Sequence, residues 1–239
     1  FYDFGAVINK KTNGAKIDAG FGQTKPLISE FWTEKTTKKK DTSKADILIG
    51  KSQTSVKAPF AQLMSGKGRE TKATILSAIK IAGADKDIEK MLFEQVDKFV
   101  DNMRTNSADI NARVLKQMSV EDAKKTGNEE VKKLVDKQDA GKAEIKRVFE
   151  TAFKDAKVAN AFAQESMTGL EKFSGKVFGD AGDPKGEATH MFIWDYGMKK
   201  VRFEKITNTL ISETAKKMNI RPDLKSLSYK SGGKKAGYS

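Results

Sequence analysis

Apolar positions change their spacing several times along the chain, and each change marks an element. Ala6-Val7-Ile8 reads as a short strand before an Asn13-Gly14 turn. Pro26 suits a helix start, and Leu27, Ile28, Phe31 and Trp32 then recur at helical spacing. Ile47-Leu48-Ile49, a turn at Gly50 to Gln53, and a second run ending in Ser55-Val56-Lys57 predict a β-hairpin. Ser65 to Arg69 reads as a helix entry, with Glu70 opening a helix to about Ala82 that buries Ala73, Leu76 and Ile79.

From Asp85 to Ser174 the pattern becomes helical. Ile88, Met91, Leu92, Val96, Phe99, Val100 and Met103 follow one helix face behind Asp85 as N-cap. Ile110, Val114 and Leu115 start a second helix, Val131, Leu134 and Val135 a third, and the stripe from Ile145 to Phe162 a long fourth. Phe173 to Gly186 is a glycine-rich loop. His190 to Gly197 and Met198 to Glu204 form a second hairpin, in which Phe192 and Trp194 share a face opposite Met191 and Ile193. Ile206 to Met218 is a last helix with Leu210 and Ile211 inward, followed by a strand from Leu224 to Lys230 and a basic tail.

These elements predict an α/β (α+β) fold: a small mixed sheet of two hairpins with a large helical insertion. Residues 1–82 and 187–239 would form the core, and 83–186 the insertion. A chain of 239 residues can bury a core of that kind. Its runner-up is a small α/β domain followed by a helical bundle.

Charge narrows the function classes. With 45 Lys and Arg against 32 Asp and Glu, the net charge is +13, which points to a polyanionic partner, nucleic acid being the usual one. A generic basic surface is the plainer alternative. The absence of cysteine excludes disulfides, thiolate chemistry and cysteine–zinc sites, and a single histidine, His190, excludes a histidine-cluster metal site. No apolar run approaches the roughly 20 residues a membrane-spanning helix needs. Phe1 in place of an initiator Met is the pattern of a trimmed or partly represented chain; trimming by a capsid protease, as in virion proteins of tailed phages, fits it.

The chemistry gathers at the first hairpin. Asp46 stands at the mouth of its first strand, and Ser55 and Lys57 share a face of the second, so that a carboxylate, a hydroxyl and an ammonium converge. Asp46, an eleven-residue step and Ser55-Val56-Lys57 resemble the core of the PD-(D/E)XK nuclease superfamily. In that family an Asp and an acidic-x-Lys motif on adjacent strands hold a divalent metal beside a DNA phosphate. An ordinary amphipathic hairpin is the other reading of the same residues. The resemblance implies that Asp46 ligates Mg²⁺, that Lys57 positions water or a phosphate, and that Gln62, after the strand, orients water or backbone. Glu30 on the first helix, or Glu70, would supply a second carboxylate. Ser55 stands where the family has an acid, and a hydroxyl is a weak Mg²⁺ ligand. Binding to DNA without cutting is therefore as well supported as hydrolysis.

Phosphate contacts are expected from the lysines around this hairpin. Lys38, Lys39, Lys40 and Lys44 precede Asp46, Lys67 and Arg69 follow Ser65, and Lys230, Lys234 and Lys235 lie with Tyr229 and Tyr238 in the basic terminus. Solvated lysine loops and a solubilising tail are the bland readings. No GxxxxGK[ST] loop occurs, so ATP binding is set aside. The stretch from Ser55 to Gly66 also looks similar to phage head-completion or DNA-end-protecting proteins. The expected function is a phage-type protein, in the virion or host cytoplasm, that acts on or caps double-stranded DNA ends. The alternative is a non-enzymatic virion component of the capsid interior, neck or tail that meets packaged DNA or other virion proteins. An RNA-binding module ranks last for want of an aromatic motif.

Overall fold

The computed structural model describes residues 4–18, 26–36, 39, 41–59, 61–67, 69–83, 153–218, 221–223 and 228–231, with isolated positions between 90 and 147. The helices expected from Ile88, Ile110 and Val131 lie outside the described residues apart from those positions.

Strands β2 (Ile47–Ile49) and β3 (Ser52–Lys57) form the first hairpin around Gly50, which adopts a φ of 60°. The Gly50 amide donates to the Lys16 carbonyl at 2.8 Å, which brings β1 (Ile17–Asp18) onto the outer edge of β2. Strands β5 (His190–Asp195) and β6 (Lys200–Lys205) form the second hairpin. The two are joined by a parallel pairing of β3 with β5, Thr54 opposite His190 and Lys57 opposite Ile193. The result is an α/β fold on a five-stranded mixed sheet, ordered β1-β2-β3-β5-β6, rather than a sheet of two hairpins alone. A second, three-stranded sheet pairs β4 (Met64–Lys67) with β8 (Ser228–Ser231), and β8 with β7 (Arg221–Asp223).

Helix α1 (Phe4–Thr12) covers one face of the large sheet, where Val7 and Ile8 pack against Ile49, Phe192 and Val201. Ala6 to Ile8 are therefore helical and not a strand. Two adjacent positions of a helix can face the core together, and the helix is closed by Gly14, whose amide donates to the Asn9 carbonyl at 2.9 Å with φ at 67°. The opposite face carries α4 (Ala156–Thr168) and α6 (Asn208–Lys217), with Leu63, Ala163, Met167, Met191 and Ile211 between them. Behind α4, helices α2 (Glu30–Thr36) and α3 (Arg69–Ile81) close a third cluster around Trp32, Leu76, Ile79 and Phe162.

Local hydrogen bonding explains where the elements depart from the periodicity. Helix α2 starts at Glu30 and not at Pro26, because the Ser29 hydroxyl accepts the Trp32 amide at 3.1 Å and so caps it. The long fourth helix is interrupted at Asp155, whose carboxylate accepts the Lys157 amide at 2.7 Å and starts α4. Met64 to Lys67 are a strand, not a helix entry, since β8 offers a backbone partner that a single sequence window does not show. Helices α4 and α5 (Leu170–Ser174) come from the span expected as an insertion, yet both carry core residues, Phe162 and Phe173 among them. No helix among the described residues is long and apolar enough to cross a membrane.

Gly175 ends α5 with φ at 62°, and a Cβ there would lie 2.4 Å from the Asp180 carbonyl oxygen. Gly83 has φ at 63° with nothing within 4 Å. Gly83→Ala is expected to cost ~1–2 kcal/mol from the left-handed backbone alone, whereas Gly175→Ala is expected to cost clearly more, because backbone must move. Urea midpoints of the two variants beside wild type check this; equal losses would refute it.

Candidate functional site

The Asp46 amide donates to the Thr54 carbonyl at 2.9 Å and closes the mouth of the first hairpin. Its carboxylate turns onto the neighbouring strand and accepts the Val56 amide at 2.7 Å and the Ser55 hydroxyl at 3.3 Å. Ser55 is fully buried, as expected of a small hydroxyl on a strand paired on both sides. Strand alternation places Lys57 on the Ser55 face, at the carboxyl end of β3 and opposite Ile193. Asp46 and Ser55 thus meet as the sequence predicts, with Lys57 one step further along the strand.

A second charged group lies beneath them. Lys44 sends its ammonium inward to donate to the Leu63 carbonyl, and so is not the phosphate contact expected of it. Burial depresses its pKa well below the ordinary lysine value; Lys57 adds to the depression, Asp46 opposes it, and Lys172 and Glu165 act more weakly in the same two senses. Lys44 thus lies within electrostatic reach of Asp46 and Lys57 on one side and of Glu165 and Lys172 at the α4–α5 elbow on the other.

That elbow turns at Gly169, with φ at 68°, between α4 and α5. Glu165 is fully buried, and its carboxylate accepts the Glu171 amide at 2.7 Å and the Lys172 amide at 3.0 Å. Burial raises its pKa against those two bonds. Lys172 lies over the Trp32 and Phe173 rings, its ammonium 5.3 and 5.4 Å from their centroids, and pairs with Asp41 at 2.6 Å and Glu70 at 3.9 Å. Glu171, also fully buried, accepts the Val177 and Phe178 amides at 3.0 and 3.2 Å. Desolvation raises its pKa to about 7; Ser29 and the Phe178 amide resist the rise, and the charges of Glu165 and Asp180 add to it.

The remaining expected residues are scattered. Glu30 is exposed at the start of α2, Glu70 turns to Lys172, and Gln62 is exposed in the segment before β4. Lys39 is exposed. Lys67, Arg69 and Lys230 are described only as backbone in β4, α3 and β8, where the register sets Lys230 opposite both Ser65 and Arg221. Lys38, Lys40, Lys234 and Lys235 lie outside the described residues. His190 stacks on Phe203, and burial with the nearby Lys205 lowers its pKa, a structural place in the sheet.

A hard divalent cation needs several oxygen ligands. The described residues do not meet that need at Asp46: one of its oxygens already accepts two hydrogen bonds, Ser55 spends its proton there, and no group of three acidic or histidine side chains suited to a metal occurs among them. What the corner does offer is a carboxylate held in place by backbone, with the half-buried Lys57 following Ser55 on the same face of β3. Lys172, Glu165 and Glu171 escaped sequence reasoning. Their one signal was a charged cluster on both sides of Gly169 within an otherwise apolar helical stripe.

Glu171 makes stability depend on pH in a defined sense. Its pKa in the folded chain is about 7 against an ordinary 4.5, so between those values the native state holds a proton the unfolded chain has released. Stability contributed here is present below pH 4.5 and is lost as pH rises to about 7. Urea midpoints measured across that window are expected to fall with pH, and Glu171→Gln to flatten the fall; an unchanged slope in the variant would remove Glu171 as its source.

Comparison with protein-family models, with curated proteins and with solved structures found no match for this chain.

Proposed function

We propose that this chain binds double-stranded DNA near its ends through a nuclease-like core that grips phosphate without hydrolysing it. The observation that carries the proposal is the Asp46 carboxylate, drawn onto the Val56 amide and the Ser55 hydroxyl, with Lys57 two residues beyond on the same strand. A carboxylate held in that way is poorly placed to gather a metal and well placed to fix the strand that presents the lysine. The net charge of +13 supports a polyanionic partner and supplies the long-range attraction that brings it in. The parallel β3–β5 pairing sets Lys57 at the carboxyl edge of the sheet, where open α/β sheets commonly present their binding groups. Ser55 in place of a second acid leaves the site able to neutralise phosphate charge but short of what metal-assisted attack requires.

Gel shifts with linear and circular double-stranded DNA over a range of salt, run beside cleavage assays with Mg²⁺, Mn²⁺ and EDTA, test this reading. Tighter binding to linear DNA, a steep loss of affinity with salt, and intact DNA in all three conditions are expected. Lys57→Ala should weaken binding about tenfold, ~1.4 kcal/mol. Metal-dependent cutting lost in both Lys57→Ala and Asp46→Ala would establish an active nuclease instead. Absence of DNA binding would leave the non-enzymatic virion component in front.

A further inference from the structure

The tip of the β5–β6 hairpin gathers exposed aromatic and apolar side chains that the core does not use. Among the described residues five large apolar side chains are exposed, and three of them, Trp194 at 40%, Tyr196 at 73% and Met198 at 57%, lie within five residues of this one turn. Exposure of that kind is costly when unpurposed, and grouping it at a tip is the arrangement of a contact surface. The Trp194 and Tyr196 rings stand 6.4 Å apart at 45°. Lys199 and Lys200, both exposed, follow directly.

The turn is held in shape by its own backbone. The Asp195 carboxylate accepts the Met198 amide at 2.9 Å, the Lys199 amide donates to the Tyr196 carbonyl at 3.3 Å, and Lys199 takes up a φ of 53°. The acidic group of the tip is thereby directed to the backbone, while the two lysines remain at the surface. Strand β5 is paired on both sides, so the tip stands on an interior strand of the sheet.

We infer that this tip is a stacking site for unpaired bases at a DNA end, with Trp194 and Tyr196 receiving the bases and Lys199 and Lys200 the adjoining phosphates. The inference rests on the DNA-binding reading and extends it to a part of the chain that the lysine-rich segments do not include. Lys57 pairs in register with Ile193, so Trp194 is the next residue beyond that row and Tyr196 the third. At ~3.3 Å per strand residue the tip reaches ~10 Å past Lys57, about three base steps at ~3.4 Å each. Lys57 shares the Ile193 face and Trp194 projects from the other, so a duplex end that straddles this edge can set a phosphate of one strand at Lys57 and lay unpaired terminal bases on the tip. Aromatic stacking tolerates any base, which suits an end whose sequence is not chosen.

The whole chain carries two tryptophans, Trp32, which is buried, and Trp194, so intrinsic fluorescence reports on the tip. The test titrates it with fluorescein-labelled duplexes, one blunt and one with a short single-stranded overhang, following anisotropy and tryptophan emission together. Binding of the overhang duplex is expected to quench the emission. Trp194→Phe should lose the quenching, and the double variant Trp194→Ala with Tyr196→Ala should lose overhang affinity about tenfold or more, with an unchanged circular dichroism spectrum. DNA binding with no quenching and no loss in the double variant overturns the stacking site while the DNA-binding reading stands. Absence of binding to either duplex defeats the DNA-binding reading, and the tip's role falls with it. Quenching by anionic phospholipid vesicles without quenching by DNA would overturn the inference in favour of a membrane contact.

Discussion

The buried Glu165 carboxylate is the constraint on which the charged half of the structure depends. A carboxylate removed from water has to be met by donors, and here two consecutive amides at the start of α5 meet it. Those bonds fix the direction of α5 after Gly169, and with it the position of Lys172, whose ammonium then joins Asp41, Glu70 and the faces of Trp32 and Phe173. Lys44 lies against the same elbow, its Cβ 3.3 Å from where a side chain on Gly169 would begin. Through Lys44 the elbow is electrostatically joined to Asp46 and Lys57. Charges buried in this way do little for stability by themselves.

Above the elbow the hairpin corner works in the opposite manner, by keeping a charge at the edge of the sheet. Asp46 turns one carboxylate oxygen onto the β3 backbone, and Lys57 stands at the carboxyl edge of the sheet. The functional proposal turns on this division of labour: the carboxylate organises the strand and the ammonium meets the phosphate. In the nucleases that the hairpin resembles, the matching positions share a metal; the proposal gives them separate tasks, with Ser55 standing where those enzymes have an acid.

Much of this was legible along the chain, and the rest was hidden for identifiable reasons. The two hairpins could be read because strand alternation and turn residues are local signals, and Asp46 meeting Ser55 followed from them. The parallel pairing of Thr54 with His190 and the joining of β4 to β8 could not, because neither partner carries a mark of the other at such separation. Val7 and Ile8 misled because a two-residue apolar pair fits a strand and a short helix equally. Ser29 and Asp155 moved helix starts by supplying caps stronger than the periodicity around them. Nothing local marks Glu165 and Glu171 as buried; the turns at Gly169 and Gly175 bring backbone amides round to their carboxylates.

The register of β3 against β5 also bears on how the chain reaches this structure. Thr54 and His190 are 136 residues apart (190 − 54), yet they occupy the middle of the sheet. Closing so long a loop is entropically modest, since the cost grows only with the logarithm of length, but it is slow, because no local contact rewards the search. During synthesis the first hairpin leaves the ribosome with one side of β3 unpaired, and its completing strand follows more than a hundred residues later. An open strand edge of that kind attracts other chains. The surplus of positive charge would in that interval hold unfinished chains apart.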